Sequence, residues 1–137
     1  MQIGFYKDGK LIETKEYEGL TSDILLPIIR DILEKHTIEK VIYTSGPGSH
    51  MATKIAYVLL KSLNIIKDIP LFAISAFDLN SNKPIKALGK LYFIKEKENI
   101  ITKKFDQNIE SDFKMPLNLS ELNILKDNIP NYNISAV

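Results

Sequence analysis

Two β-rich runs, residues 2 to 6 and 11 to 17, flank the polar gap Lys7-Asp8-Gly9-Lys10. A glycine in so short a gap predicts a hairpin. The pattern then changes period: Ile24, Ile28, Ile32 and Leu25, Ile29, Leu33 recur every four residues in "ILLPIIRDILEKH", which predicts a helix with a wide apolar face. Thr21, Ser22 and Asp23 offer capping oxygens ahead of it. Pro27 lacks an N–H and is cheap only in a first turn, so the helix starts near Asp23 or bends at the proline. "KVIYTS", 40 to 45, is apolar on both alternations, as in a strand buried on both faces. Residues 50 to 63 read as a second helix, with Ser49 as N-cap and Asn64 as a left-handed stop. "PLFAIS", 70 to 75, supplies the next buried strand, so 40 to 75 reads as one βαβ unit with a right-handed crossover.

The second part is written more weakly. Residues 90 to 105 predict a hairpin turning near Lys97 to Asn99, and 119 to 127 predict a short capped helix. Residues 76 to 89 and 106 to 118, with Pro84, Gly89 and Pro116, read as connections. There is no internal repeat.

Composition narrows the function classes. The 137 residues, 45% hydrophobic, suffice for one compact domain or two small lobes. Eighteen basic against 17 acidic residues give a formal charge of +1, without the basic field of a stand-alone nucleic-acid binder. The absence of cysteine removes disulfides, thiol catalysis and thiolate metal sites, and fits a reducing compartment. "MQIGFYKDGK" lacks a signal-peptide core, and no stretch reaches the roughly 18 apolar residues of a membrane helix. A cytoplasmic protein without a membrane partner is expected.

Candidate chemistry is sparse. The turn Gly46-Pro47-Gly48-Ser49 joins a buried strand to a helix N-terminus, where free N–H groups and the helix dipole can hold a phosphate. Met51 stands where a dinucleotide fingerprint needs its third small residue, and no Gly-Lys-Ser/Thr follows. Pro47 removes one donor, which favours a tight connection over an anion site. His36 and His50 lack metal-pair spacing, and Ser45 and Ser49 lack a nucleophile-elbow frame or a neighbouring base. Asp23, Asp31 and Asp78 stand in cap or helix-surface contexts without pairing. The lysines of 83 to 104 alternate with acidic and apolar residues, as on a solvated hairpin.

What stands out is apolar helix surface. The first helix is Ile or Leu at nearly every uncharged position, more than one sheet contact uses. In the second, Met51, Ile55, Val58 and Leu59 form one face, with Ala52 and Ala56 as a neighbouring small-residue groove. A buried helix pair and a patch for another protein's helices are both compatible with this pattern.

"TSGPGSHMATKIAYVLLKSL" resembles the Gly-Pro-Gly-Ser-Phe-Thr-Gly-Leu-Arg-Ile-Gly signature of the TsaB (YeaZ) family. Gly46, Pro47, Gly48, Ser49 and Ile55 match, Lys54 replaces the arginine, and Ala52 and Ala56 replace two glycines. "TSDILLPIIRDIL" is similar to the family's His-Ser-Glu-x-Leu-Leu-Pro-x-Ile helix, keeping Ser22, Leu25, Leu26, Pro27 and Ile29, with Thr21 for histidine. "IPLFAISAFD", "GKLYF" and the Pro-x-Tyr of "IPNY", 129 to 132, follow in family order. The resemblance is specific over residues 1 to 80 and thin beyond.

The resemblance implies an α/β fold: an actin/Hsp70/sugar-kinase-like (ribonuclease H-like) lobe with a mixed sheet over 1 to 80, and a reduced second lobe over 81 to 137. Family members begin with a central strand ending in Asp-Thr-Ser, and this sequence begins one strand later. Loss of that strand would leave the hairpin without a paired inner edge, so either residues upstream of Met1 are missing from this sequence, the favoured reading, or the sheet is rearranged. The implied function is a non-catalytic scaffold that pairs with TsaD, with TsaE as a further partner, in threonylcarbamoyl transfer to the adenosine beside the tRNA anticodon. The expected interface comprises Pro27, Ile28, Ile32, Met51, Ala52, Ile55 and Ala56. No cofactor or metal is assigned to this chain; ATP and metal are expected on the partner subunits, and tRNA contact only through the complex. Two alternatives stay open: a small nucleotide-binding enzyme using the Gly46 to Ser49 turn, and a self-associating module in which the same helices form a homodimer.

Overall fold

In the computed structural model, residues 1–97 and 99–130 are described. Strands β1 (Gln2–Lys7) and β2 (Lys10–Glu16) form the predicted hairpin, closing at the pair Lys7↔Lys10. Asp8 and Gly9 both take positive φ, 53° and 79°. That conformation matches the right-handed twist of the two strands and is cheap at glycine.

Helix α1 (Thr21–Lys35) begins two residues before the predicted start. Its N-cap is Leu20, which makes no side-chain cap bond, so Thr21, Ser22 and Asp23 lie inside the helix. The carboxylate of Asp23 favours the first turn through the dipole instead. Pro27 therefore falls beyond the first turn, on the exposed side. Strand β3 (Val41–Thr44), helix α2 (His50–Lys67) and strand β4 (Leu71–Ile74) form the predicted βαβ unit, with parallel pairing from Val41↔Leu71 to Thr44↔Ile74. Helix α2 does not stop at Asn64. It runs to Lys67, and Asp68 takes the left-handed position, with φ 58°, while the Asn64 side chain donates to the Ile69 carbonyl at 2.9 Å.

Residues 76 to 89, predicted as a connection, contain the short helix α3 (Ala76–Leu79) and strand β5 (Ile85–Leu88). Strands β6 (Leu91–Glu96) and β7 (Asn99–Lys104) form the second predicted hairpin, and β5 pairs with β6. The helix predicted over 119 to 127 shrinks to one 3-10 turn, Leu119–Glu121. Tertiary pairing outcompetes it: Leu125 N–H donates to the Ala73 carbonyl at 2.9 Å, and the Asn128 amide donates to the Leu71 carbonyl at 3.1 Å. Tyr132 of the Pro-x-Tyr resemblance lies outside the described residues.

Two apolar clusters hold these elements. The first unites Leu25 and Ile29 of α1, Tyr43 of β3, Leu60 of α2 and Leu71 and Ala73 of β4. The second unites Ala76 and Phe77 of α3 with Ile85 and Phe93. The strands form no single mixed sheet: β1–β2, β3–β4 and β5–β6–β7 are three separate sheets, because no described strand bridges β1 and β3.

The segment after β7 acts as a strap. It reaches the first hairpin, where the Tyr6 hydroxyl donates to the Pro116 carbonyl at 2.6 Å, Leu11 N–H to Leu117 at 2.9 Å, and Leu119 N–H to Gly9 at 2.8 Å. Partial burial, and after it the charge of Glu121, raise the Tyr6 phenol above the ordinary value near 10. The contribution of the neutral phenol is therefore complete below that value and is lost as pH rises through the raised folded-state one. Thermal unfolding between about pH 9 and pH 11 is expected to lose more stability in the wild type than in Tyr6→Phe. At neutral pH the variant is expected to be about 1 kcal/mol less stable, from the lost hydroxyl bond.

Candidate protein-interaction face

The loop between β3 and α2 is tied down by the backbone around it. Ser45 is buried and its N–H donates to the Ile74 carbonyl at 3.0 Å, while the Gly46 carbonyl accepts from Ala76 N–H at 2.9 Å. Ser49 is the N-cap expected from the sequence, its hydroxyl accepting from Ala52 N–H at 3.3 Å. These bonds set the direction of α2 by fixing where the chain leaves β3. A Cβ at Gly48 would meet nothing within 4 Å, so crowding does not demand glycine there.

Helix α2 turns one side to the core and one to solvent. Leu60 is buried, and Ala56, Tyr57, Leu59 and Leu63 pack on the first cluster. On the opposite side Met51 is 70% exposed, Val58 52% and Ile65 72%, one every seven residues. Ile55 and Ser62, both half-buried, fill the positions between them. The five residues alternate by four and three along the helix, the spacing of a helix–helix seam. Ile66, 75% exposed, and Leu26 of α1, 41% exposed, add to the uncovered apolar surface.

Of the residues expected at an interface, Met51 and Pro27 are exposed. Ile28, Ile32, Ala52 and Ile55 are half-buried, and Ala56 belongs to the packing between α2 and the core. Ile65 and Ile66 were outside the helix predicted to end at Asn64. The seven-residue repeat from Met51 through Val58 to Ile65 is the signal that finds them.

The other candidates have local partners. Asp31 pairs with Lys35 at 3.1 Å on the exposed side of α1, a contact of small energetic value. The Asp78 carboxylate accepts from Asn123 N–H at 3.2 Å and so holds the strap. His36 follows the end of α1, its ring 6.0 Å from that of Phe5, and His50 opens α2. Among the described residues no three His, Asp or Glu side chains are grouped to hold a metal, and no helix is long and apolar enough to cross a membrane. A cleft of about 320 Å³ between β4 and the strap is lined by Leu71, Phe72, Ala73 and residues 125 to 129.

The fold and this face define an α/β protein with an uncovered helical seam. No family model matches the chain, and no curated protein matches it significantly. Among solved structures it is similar to YeaZ from Pseudomonas aeruginosa, with a TM-score of 0.56 and 15% identity over 96% of this chain and 66% of that one. It is also similar to an uncharacterised protein described as having similarity to peptidase YeaZ from Pseudomonas aeruginosa, with a TM-score of 0.55 and 15% identity over 90% of this chain and 60% of that one. The chain therefore has a YeaZ-like fold and spans 60 to 66% of the length of these two proteins.

Proposed function

We propose that this chain is a non-catalytic scaffold of the TsaB type, which pairs through α1 and α2 with TsaD in tRNA threonylcarbamoyladenosine synthesis. The observation that carries the reading is the seam of Met51, Ile55, Val58, Ser62 and Ile65, left uncovered on a YeaZ-like fold. Exposed apolar side chains repeating every seven residues are costly to leave in water and are stabilised by an opposing helix. In this reading the first lobe is of the actin-like class and the Gly46 to Ser49 turn orients α2. Threonylcarbamoyl transfer, ATP and metal belong to the partner subunits, TsaE joins through the complex, and tRNA is met there in the cytoplasm.

The test is a titration of the chain with the TsaD of the same organism, followed by native mass spectrometry and calorimetry. A one-to-one complex is expected. Val58→Asp places a carboxylate in the middle of the seam and is expected to weaken the complex at least tenfold. Because Val58 is half exposed, the variant should keep the wild-type melting temperature within a few degrees. Wild-type affinity in a folded Val58→Asp variant, or a homodimer with bound nucleotide and no TsaD complex, would refute the scaffold reading.

A further inference from the structure

Strand β4 turns its backbone groups two ways. Val41 N–H donates to the Pro70 carbonyl and Ser45 N–H to the Ile74 carbonyl, so residues 70, 72 and 74 face β3, and Leu71 and Ala73 turn theirs toward the strap. There the strap answers only half of what the edge offers. Leu125 N–H reaches the Ala73 carbonyl at 2.9 Å and the Asn128 amide the Leu71 carbonyl at 3.1 Å, but among the described residues no acceptor meets the N–H of Leu71 or of Ala73. Leu71 is 6% exposed and Ala73 0%, and a buried donor without a partner costs free energy that pairing with water recovers. The cleft of about 320 Å³ runs along this stretch.

Residues 123 to 129 are held by little else. Ile124, Leu125 and Ile129 stand largely in solvent, and no residue of the span packs on either core cluster. Besides the two bonds to β4, Asn123 N–H donates to the Asp78 carboxylate at 3.2 Å, and the Tyr43 hydroxyl donates to the Asn128 carbonyl. Half-buried Leu122 and buried Pro130 anchor the two ends. The other half of the strap sits more firmly. Leu11 N–H and the Gly9 carbonyl bond it backbone to backbone at residues 117 and 119, and Met115 lies so close over Gly4 that a Cβ there would be 3.2 Å from it. Few buried apolar contacts and exposed hydrogen bonds mark a segment that opens below the free energy of global unfolding.

We propose that residues 123 to 129 form a latch over β4. The span bows off the sheet between its two anchors while the core, the hairpin and the hairpin's half of the strap stay folded. Opening wets the N–H groups of Leu71 and Ala73, and closure keeps the outer edge of β4 from pairing with other strands. The latch is independent of the helical seam and of the scaffold reading.

Residue-resolved hydrogen exchange on the full chain tests it, with three amides as reporters: Leu125 for the latch, Leu11 for the hairpin's half of the strap and Ser45 for the core. Corrected for intrinsic rates, Leu125 is expected to exchange at least tenfold faster than the other two, at a rate that low urea does not change, because local opening exposes little surface. Exchange of Leu125 at the rate of Leu11 would mean that the strap opens as a whole, and exchange at the rate of Ser45 that it opens only when the molecule unfolds. Either result overturns the latch. Asn128→Ala removes the bond to the Leu71 carbonyl and is expected to speed Leu125 about fivefold while Leu11 and Ser45 stay within twofold of wild type. Equal acceleration at all three amides, or none at Leu125, overturns the proposal, and should the variant not fold, the wild-type comparison decides alone.

Discussion

Phe77→Ala is expected to lower the unfolding free energy by about 3–5 kcal/mol. Phe77 has no exposed surface, and its ring packs with Ala76, Ile85 and Phe93 in the cluster that joins α3 to the three-stranded sheet. Alanine removes most of that side chain, losing both the transfer term and the dispersion contacts of the groups around the cavity. The loss compares with a total stability of about 5–15 kcal/mol for a typical domain, so the variant should lose a large fraction of its margin. Urea unfolding followed by circular dichroism is expected to show a lower midpoint with an unchanged slope. Phe77→Leu keeps most of the volume and should lose less. A change under about 1 kcal/mol in Phe77→Ala would mean that the second cluster melts apart from the rest, which a two-state fit could not describe.

Asn80→Ala is expected to cost about 3 kcal/mol, through polar groups rather than packing. Asn80 is fully buried. Its amide nitrogen donates to the Lys83 carbonyl at 3.1 Å and the Pro84 carbonyl at 3.3 Å, and its oxygen accepts from Asp112 N–H at 2.6 Å. Truncation strips three backbone groups of their partner at once, and each buried orphan costs about 1–3 kcal/mol before relaxation or water entry. The same bonds brace a tight bend in which Ser81 and Asn82 both hold left-handed φ, 52° and 57°. The ion pairs of Asp112 with Lys83 and Lys114, at 3.7 and 3.6 Å on exposed side chains, are too weak to substitute. Amide exchange offers a second readout: the Asp112 N–H should lose protection in Asn80→Ala. Retained protection with unchanged stability would show that the network contributes nothing.

Much of the architecture was legible because the signals are local. The Asp8-Gly9 turn, the Ser49 cap and the four-residue recurrence of Ile and Leu in α1 each depend on neighbours within a few positions. The misses have nonlocal causes. Helix α2 passes Asn64 because that side chain finds the Ile69 carbonyl, and the 119 to 127 segment unwinds because β4 offers its edge to Leu125 and Asn128. Strand β5 escaped notice because four residues between turns carry little periodicity, and its pairing with β6 supplies what the pattern lacks.

For the candidate interface the division is similar. The apolar character of Met51, Ile55 and Val58 was readable as one helix face, but not whether that face was core or surface. Leu60 and Leu63 are as apolar as Ile65 and differ from it only in what lies opposite.

The sequence by itself determined where the two hairpins turn, roughly where the two long helices lie and that they carry more apolar surface than one contact uses. Turn geometry, capping and periodicity act within a few residues, so composition and order suffice for them. Only the tertiary structure decided which apolar residues are covered: it turned Leu60 and Ala56 toward α1 and β4 and left Met51, Val58 and Ile65 in water. Burial depends on residues far apart in the chain, such as Leu25, Tyr43 and Leu71, arriving at one place, and no local pattern encodes that meeting.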